Sequence, residues 1–209
     1  FTTKQTFLTR SLGALYGVQV DYRGFGGGWM PYTFPQDDPH SGLLTLPAFL
    51  MLDPSHEGRS SPTIRGKVVR ENFLCQQVPM PPANVNFRLV QDVNDPVLKT
   101  ARMRLTAHSD NPVCAGCHRI TDPIGLALEN YTAVGAYRDK ENGAAIDASG
   151  TFEGKPYRNA LDLTQLMHDS PSVPACVVQR AFEYGVGRAP VGNETGWLDY
   201  TGQQFARDG

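Results

Sequence analysis

The chain has 209 residues, enough for one domain with a sizeable core or for a domain with an extension. Its formal charge of −2 and its pI of about 6.2 argue against a nucleic-acid-binding protein and against a polybasic membrane surface. A hydrophobic content of 40% excludes a disordered chain, and the most apolar run, 42–52, is too short to cross a bilayer. No transmembrane segment is therefore expected.

The first half of the chain is predicted to form short helices separated by long Pro- and Gly-rich loops. The elements are a helix over 4–16, a loop over 24–39, a short apolar segment over 42–52, and a helix that begins at Pro62 and ends near Cys75. Ser61 is suited to cap that last helix, because serine is favoured just before a helix and proline at its first position. The run Pro79–Pro82 cannot be helical and is expected to be extended.

The second half is predicted to be mainly helical. Asp95-Pro96 is suited to begin a helix, and Asn111-Pro112 to end it just before a pair of cysteines. One face of this helix carries four residues at core spacing: Val97, Ala101, Leu105 and His108. The remaining elements are a short helix over 126–131, a hairpin with its turn at Asn142-Gly143, and helices over 162–168 and 174–187. The expected fold class is mainly α with a small β-hairpin.

The five residues 114–118, CAGCH, match the attachment motif of c-type haem. In that chemistry two thiols three residues apart add to the two vinyl groups of one porphyrin. The next residue, a histidine, ligates the iron. The motif therefore predicts one haem c, held by Cys114 and Cys117, with His118 as the proximal iron ligand.

Two other chemistries use the same cysteine spacing. A zinc site needs a fourth ligand and usually a second cysteine or histidine pair, and here Cys75 or Cys176 would have to be recruited singly. A thioredoxin-like dithiol needs the motif to follow a strand, whereas a predicted helix precedes it. Haem is favoured over both.

Cys75 and Cys176 lie 101 residues apart, and two interpretations of them stay open. They are candidates for a disulfide that closes a large loop, or they are two buried thiols. If they are oxidised, an extracytoplasmic location follows, because structural disulfides persist in oxidising compartments.

Three blocks of sequence resemble a known group of proteins. They are GLLTLPAFLMLDPSHEGRSSPTIRGKVVRENFLCQQVPMPPANV from Gly42, CHRITDPIGLALENYTAVGAYRDKENGAAIDASGTF from Cys117, and SPSVPACVVQRAFEYGVGR from Ser170. Together they resemble the single-haem cytochrome modules of large secreted planctomycete and myxobacterial proteins of the DUF1592/DUF1588/DUF1585 type.

The resemblance implies a cytochrome c-like single-haem domain over 95–209 and a helical and loop extension over 1–94 that packs on it. It implies a periplasmic or extracellular protein, part of a larger chain or complex, that exchanges electrons with a redox partner protein or a neighbouring haem domain. The alternatives are a haem enzyme of peroxidase or oxygenase type, with an open sixth coordination site, and a haem-bearing structural subunit of an assembly.

The resemblance to small c-type cytochromes also implies roles for single residues. The carbonyl of Pro123 is expected to accept a hydrogen bond from Nδ1 of His118 and so orient the ring. Met80, in the loop-like sequence PMPPAN, is the first candidate for the distal iron ligand, although it precedes the cysteines instead of following them. His108, ten residues before His118, is the second candidate. Four arginines near the motif are candidate partners for the haem propionates: Arg102, Arg104, Arg119 and Arg138.

Overall fold

The structure, a computed structural model, describes residues 1–20, 28–52, 59–80 and 92–208. Over these residues the chain is mainly helical, as expected. The helices are α1 (Arg10–Tyr16), α2 (Pro47–Leu50), α3 (Pro62–Phe73), α4 (Ala101–Ser109), α5 (Pro112–Leu126), α6 (Ala160–His168), α7 (Ser172–Val186) and α8 (Thr195–Asp208). The predicted loop residues 24–27 and the prolines Pro81 and Pro82 lie outside the described residues.

Six short strands form three antiparallel pairs in the described parts of the chain. They are β1 (Gln5–Leu8) with β2 (Met30–Thr33), β3 (Lys140–Glu141) with β4 (Ala144–Ala145), and β5 (Gly150–Phe152) with β6 (Lys155–Tyr157). The predicted hairpin at Asn142-Gly143 is confirmed, and both turn residues have positive φ, 50° and 76°, as a tight two-residue turn requires. The hairpin at Glu153-Gly154 has the same kind of turn and was not predicted.

The prediction of one helix over 4–16 is wrong at its start. Residues Gln5–Leu8 form a strand that pairs with Met30–Thr33, and Thr9 then caps α1 through a hydrogen bond from Leu12 N to its hydroxyl (3.3 Å). The partner strand lies more than 20 residues away, so local periodicity could not reveal the pairing.

The helix predicted from Asp95-Pro96 begins later, at Ala101, with Thr100 as its cap. The Asp95 carboxylate instead accepts hydrogen bonds from Val97 N and Leu98 N and closes a turn (2.7 and 2.8 Å). The guanidinium of Arg104 donates hydrogen bonds to the carbonyls of residues 98 and 99. In a helix that began at Pro96, these carbonyls would accept from backbone N–H groups four residues later. As a result Val97 is 75% exposed, while the other three residues of the predicted stripe are buried.

Helix α5 carries the cysteine motif. The side chain of Asn111 accepts a hydrogen bond from Val113 N (3.0 Å), and Pro112 occupies the first helical position, so the predicted break before the cysteines is confirmed. The separate helix predicted over 126–131 is wrong, because α5 ends at Leu126 and the chain turns. Buried Arg65 of α3 donates hydrogen bonds to the carbonyls of Leu128 and Tyr131 and holds this turn in place.

Helices α3 and α5 cross in direct backbone contact at two glycines. A Cβ atom on Gly66 of α3 would overlap the carbonyl oxygen of Thr121, and one on Gly125 of α5 would overlap the carbonyl oxygen of Pro62. Only glycine permits this approach, which brings the side chain of Thr63 on α3 to the acidic residue Asp122 on α5.

The main core lies between α2, α3, α6 and the last hairpin, on the side of α5 that carries Ile124. It contains Leu44, Phe49, Leu50, Val69, Leu74, Ile124, Ala127, Leu128, Tyr131, Phe152, Tyr157, Ala160, Leu163, Met167 and Val173. None of the described helices has the length and apolarity needed to cross a membrane. Helix α3 belongs to the predicted extension and α5 to the predicted haem domain, and the boundary at 94/95 stays a prediction.

Candidate haem site at the start of helix α5

Cys114, Cys117 and His118 lie in the first turns of α5 and share one side of it. With 3.6 residues per turn, the three side chains fall within an arc of about 100°. Both cysteines carry free thiols and are partly exposed. The local arrangement therefore presents two free thiols and one imidazole together, as attachment of a c-type haem requires.

The ring of His118 is held by a carboxylate of its own helix. Its Nδ1 lies 2.7 Å from Oδ2 of Asp122, one helical turn further on. A carboxylate only accepts hydrogen bonds, so Nδ1 carries the proton and the lone pair of Nε2 is the one available to a metal. The ring is thus set in the tautomer that a proximal iron ligand needs.

Asp122 is itself buried and held in place from a second helix. The hydroxyl of Thr63, on α3, donates to Oδ1 of Asp122 (2.8 Å), and the hydroxyl of Thr121 lies 3.2 Å from the same oxygen. The network Thr63–Asp122–His118 therefore connects the imidazole to the close contact between α3 and α5. The sequence signal for it, an acidic residue four positions after the histidine on a helix, is present in CHRITD.

Pro123 does not contact His118 as expected. Its carbonyl accepts a hydrogen bond from the hydroxyl of Tyr157, and Nδ1 of His118 is bonded to Asp122 instead. The reason is that Pro123 lies inside α5, where carbonyls point toward the carboxyl end of the helix and so away from residue 118. The role of orienting the ring passes from Pro123 to Asp122.

His108, the second candidate for the distal ligand, lies next to His118. The two ring centres are 5.0 Å apart and the rings meet edge to face. His108 is buried, and this burial lowers its pKa, as does the nearby His118, while Asp122 raises it by a smaller amount. A neutral imidazole, the form that binds metals, is favoured.

Met80, the first candidate, follows a residue that contacts the motif. The carbonyl of Pro79 is 3.4 Å from Sγ of Cys117, so Met80 is the next residue after this contact. The side chain of Met80 is 79% exposed. The structure thus brings His108 against His118 and the residue before Met80 against Cys117.

A cavity of about 300 Å³ borders His118 between α4, α5 and β5. Of the four candidate arginines, Arg102 and Arg119 line it. The other two are engaged elsewhere, because Arg104 pairs with Glu141 and Arg138 with Glu129 in largely buried contacts. Arg102 lines the cavity but donates to the carbonyls of Asp147 and Ser149, so Arg119 is the candidate for haem propionates without a contact of this kind in the described residues.

The structure also bears on the other two chemistries of the motif. Cys75 and Cys176 form a disulfide with each other, so neither thiol is left for zinc. Within the described ranges, no three His, Cys, Asp or Glu side chains are grouped to hold an ion. A haem iron needs no such group, since the porphyrin supplies four nitrogens. The motif follows helix α4 and not a strand, unlike a thioredoxin-type dithiol.

A family model matches part of the chain. Residues 40–141 match the model of the family PSCyt3, described as a protein of unknown function (DUF1588). No curated protein and no solved structure matches the chain. The matched segment contains the whole cysteine motif, Asp122 and both distal candidates, and the family name points to a cytochrome-like module. The predicted resemblance to DUF1588 is confirmed by this match to the PSCyt3 (DUF1588) family over residues 40–141.

Proposed function

We propose that this chain is a c-type cytochrome module that transfers electrons. Cys114 and Cys117 would hold one haem c by thioether bonds, and Nε2 of His118 would ligate its iron. The observation that carries the proposal is the grouping, on one side of α5, of two free, partly exposed thiols with an imidazole whose Nδ1 is already bonded to Asp122. When bound, the haem supplies a one-electron ferric–ferrous couple.

The chain's own residues have three tasks in this function. The two cysteines keep the cofactor attached to a small, loop-rich domain. Asp122 holds the imidazole in one orientation, so that little rearrangement accompanies each electron transfer. The partly exposed start of α5 leaves the attached group near the surface, where a redox partner or a neighbouring haem domain can approach it.

We place the module outside the cytoplasm, as part of a larger protein or complex. The Cys75–Cys176 disulfide supports this location, because disulfides persist in oxidising compartments and are rare in the cytosol.

The first test is haem attachment. The chain, produced in the periplasm of a host that matures c-type cytochromes, should carry haem that survives denaturing electrophoresis and gives a c-type pyridine haemochrome spectrum with one haem per chain. The double variant Cys114→Ala/Cys117→Ala should lose all covalent haem. Cys75→Ala/Cys176→Ala, a matched cysteine pair away from the motif, should keep it. Absence of covalent haem in the unaltered chain would overturn the proposal.

The second test identifies the distal ligand and separates electron transfer from enzyme chemistry. If Met80 ligates the iron, Met80→Ala should abolish the methionine–iron charge-transfer band of the ferric protein. If His108 does, His108→Ala should convert a low-spin bis-histidine spectrum to a high-spin one. Met103, exposed on the same helix as His108, provides the control Met103→Ala, which should change neither. A high-spin spectrum in the unaltered chain would favour the haem enzyme with an open sixth site.

A further inference from the structure

The buried carboxylate of Asp122 accepts more hydrogen bonds than it needs to orient the ring of His118. It has one helical neighbour on each side: His118 precedes it on α5, and Thr63 faces it from α3. Oδ2 accepts from Nδ1 of His118 at 2.7 Å, and Oδ1 accepts from the Thr63 hydroxyl at 2.8 Å. Since both oxygens serve as acceptors, the group is held as a carboxylate with its charge directed at the imidazole.

We propose that Asp122 sets the reduction potential of the haem by making His118 a strongly electron-donating ligand. The proposal rests on the proposed function, because it requires His118 to ligate the iron. A carboxylate bonded to Nδ1–H draws that proton toward itself and raises the basicity of the opposite nitrogen. A more basic Nε2 stabilises the ferric iron, which carries one more positive charge than the ferrous iron.

The direct electrostatic effect has the same sign. Asp122 is buried, so solvent screens its negative charge less than it would screen a surface charge. A fixed negative charge beside the ligand favours the oxidation state with the higher positive charge. Both effects lower the reduction potential, so the module holds electrons weakly and is suited to pass them to an acceptor.

The geometry that delivers this effect depends on the contact between α3 and α5. Thr63 reaches Asp122 only because Gly66 and Gly125 let the two helices approach to backbone contact. The carboxylate is therefore fixed from both helices and cannot rotate away to solvent when the iron changes charge. Asp122 acts through His118 and is a positioning residue.

The test is a potentiometric titration of the haem-loaded protein with the variant Asp122→Asn. The amide oxygen of asparagine can still accept from Nδ1–H, but the negative charge is gone. We expect the ferric-to-ferrous ratio at a fixed potential to fall roughly tenfold, in the range that partners of metal ligands usually contribute. For a one-electron couple that is a rise in potential of about 59 mV. The conservative variant Asp122→Glu, which restores the charge, should return the potential toward its original value.

The control is Asp110→Asn, which removes one exposed carboxylate four residues before Cys114. Its effect on the potential should be small, because solvent and salt screen an exposed charge. The pyridine haemochrome assay checks that Asp122→Asn and the unaltered protein have equal haem content. If their reduction potentials are then equal as well, the proposal is overturned while haem binding stays intact. Loss of c-type haem from the unaltered chain would instead overturn the proposed function.

If Asp122→Asn does not fold, a second variant tests the proposal. Thr63→Val removes the hydrogen bond that fixes Oδ1 of Asp122 and keeps a side chain of similar shape. The imidazole should then adopt more than one orientation, and the ferric electron paramagnetic resonance lines should broaden. Lines as narrow as in the unaltered protein would contradict the proposed fixation of the carboxylate.

Discussion

Arg65 holds the carboxyl end of α5 to the rest of the molecule. Its guanidinium donates to the carbonyls of Leu128 and Tyr131 (2.9 Å each) and Thr132 (2.8 Å), and it pairs with buried Glu129 at 3.3 Å. Burial lowers the pKa of Arg65 and raises the pKa of Glu129, since each charge has left water. Their mutual attraction offsets part of that cost, and a clamp of this kind keeps the helix that carries the cysteine motif in place.

We expect Arg65→Met to lower the free energy of unfolding by about 3–5 kcal/mol, because it removes one partner of a buried ion pair and frees several carbonyls. Urea unfolding followed by circular dichroism measures this. The control is Arg158→Met, which removes an arginine that is 85% exposed and paired with Asp162. The urea midpoint of Arg158→Met should equal that of the unaltered protein, since exposed ion pairs contribute little to stability. Equal midpoints for the two variants would show that the buried clamp is dispensable.

At the scale of elements, the crossing of α3 and α5 decides where the candidate site forms. Gly66 and Gly125 each face a carbonyl oxygen of the opposite helix, so a single methyl group would separate the helices. Separation would break the hydrogen bond from Thr63 to Asp122 and leave the ring of His118 with support from its own helix alone.

Gly66→Ala should therefore destabilise the protein by about 1–3 kcal/mol, the usual cost of forcing extra atoms into a packed contact. Gly185→Ala is the matched control, because Gly185 lies inside α7 with open space where its Cβ would be. That change should stabilise the protein by about 0.5–1 kcal/mol, as alanine does in place of a helical glycine. Thermal unfolding of both variants measures the difference, and a neutral Gly66→Ala would contradict the close contact.

At the scale of the whole molecule, the Cys75–Cys176 disulfide joins the end of α3 to α7 across 101 residues. Cys75 has a φ of 52°, a left-handed conformation that is unusual for a residue other than glycine. From there the chain runs to Pro79, whose carbonyl contacts Cys117. The disulfide therefore closes the core and also starts the segment that carries Met80 past the motif.

Cys75→Ala/Cys176→Ala should lose up to about 5 kcal/mol of stability, because the open chain gains the entropy of a loop of roughly 100 residues. Urea unfolding under non-reducing conditions measures the loss. A reductant should lower the unaltered protein to the stability of the variant and leave the variant unchanged, since the variant has no disulfide between these positions. A variant as stable as the oxidised protein would show that the cross-link adds nothing.

Local patterns predicted the features that depend on neighbours in sequence. Ser61-Pro62 begins α3 and Asn142-Gly143 turns the hairpin, as expected, because caps and tight turns are set by a few adjacent residues. The later start of α4 was not predictable in this way. There the side chain of Arg104 takes the carbonyls of the preceding residues, a contact that capping rules do not include.

The sequence by itself determined that two thiols and an imidazole lie close together, because CAGCH places them within one helical turn and a half. Only the tertiary structure decided which side chains surround that motif. Nδ1 of His118 is bonded to Asp122 and not to Pro123, and His108 and Pro79 contact the motif from segments that are separate from it. The physical reason is that spacing along one helix is local, whereas neighbours across helices depend on packing, here on two glycines that let α3 and α5 touch.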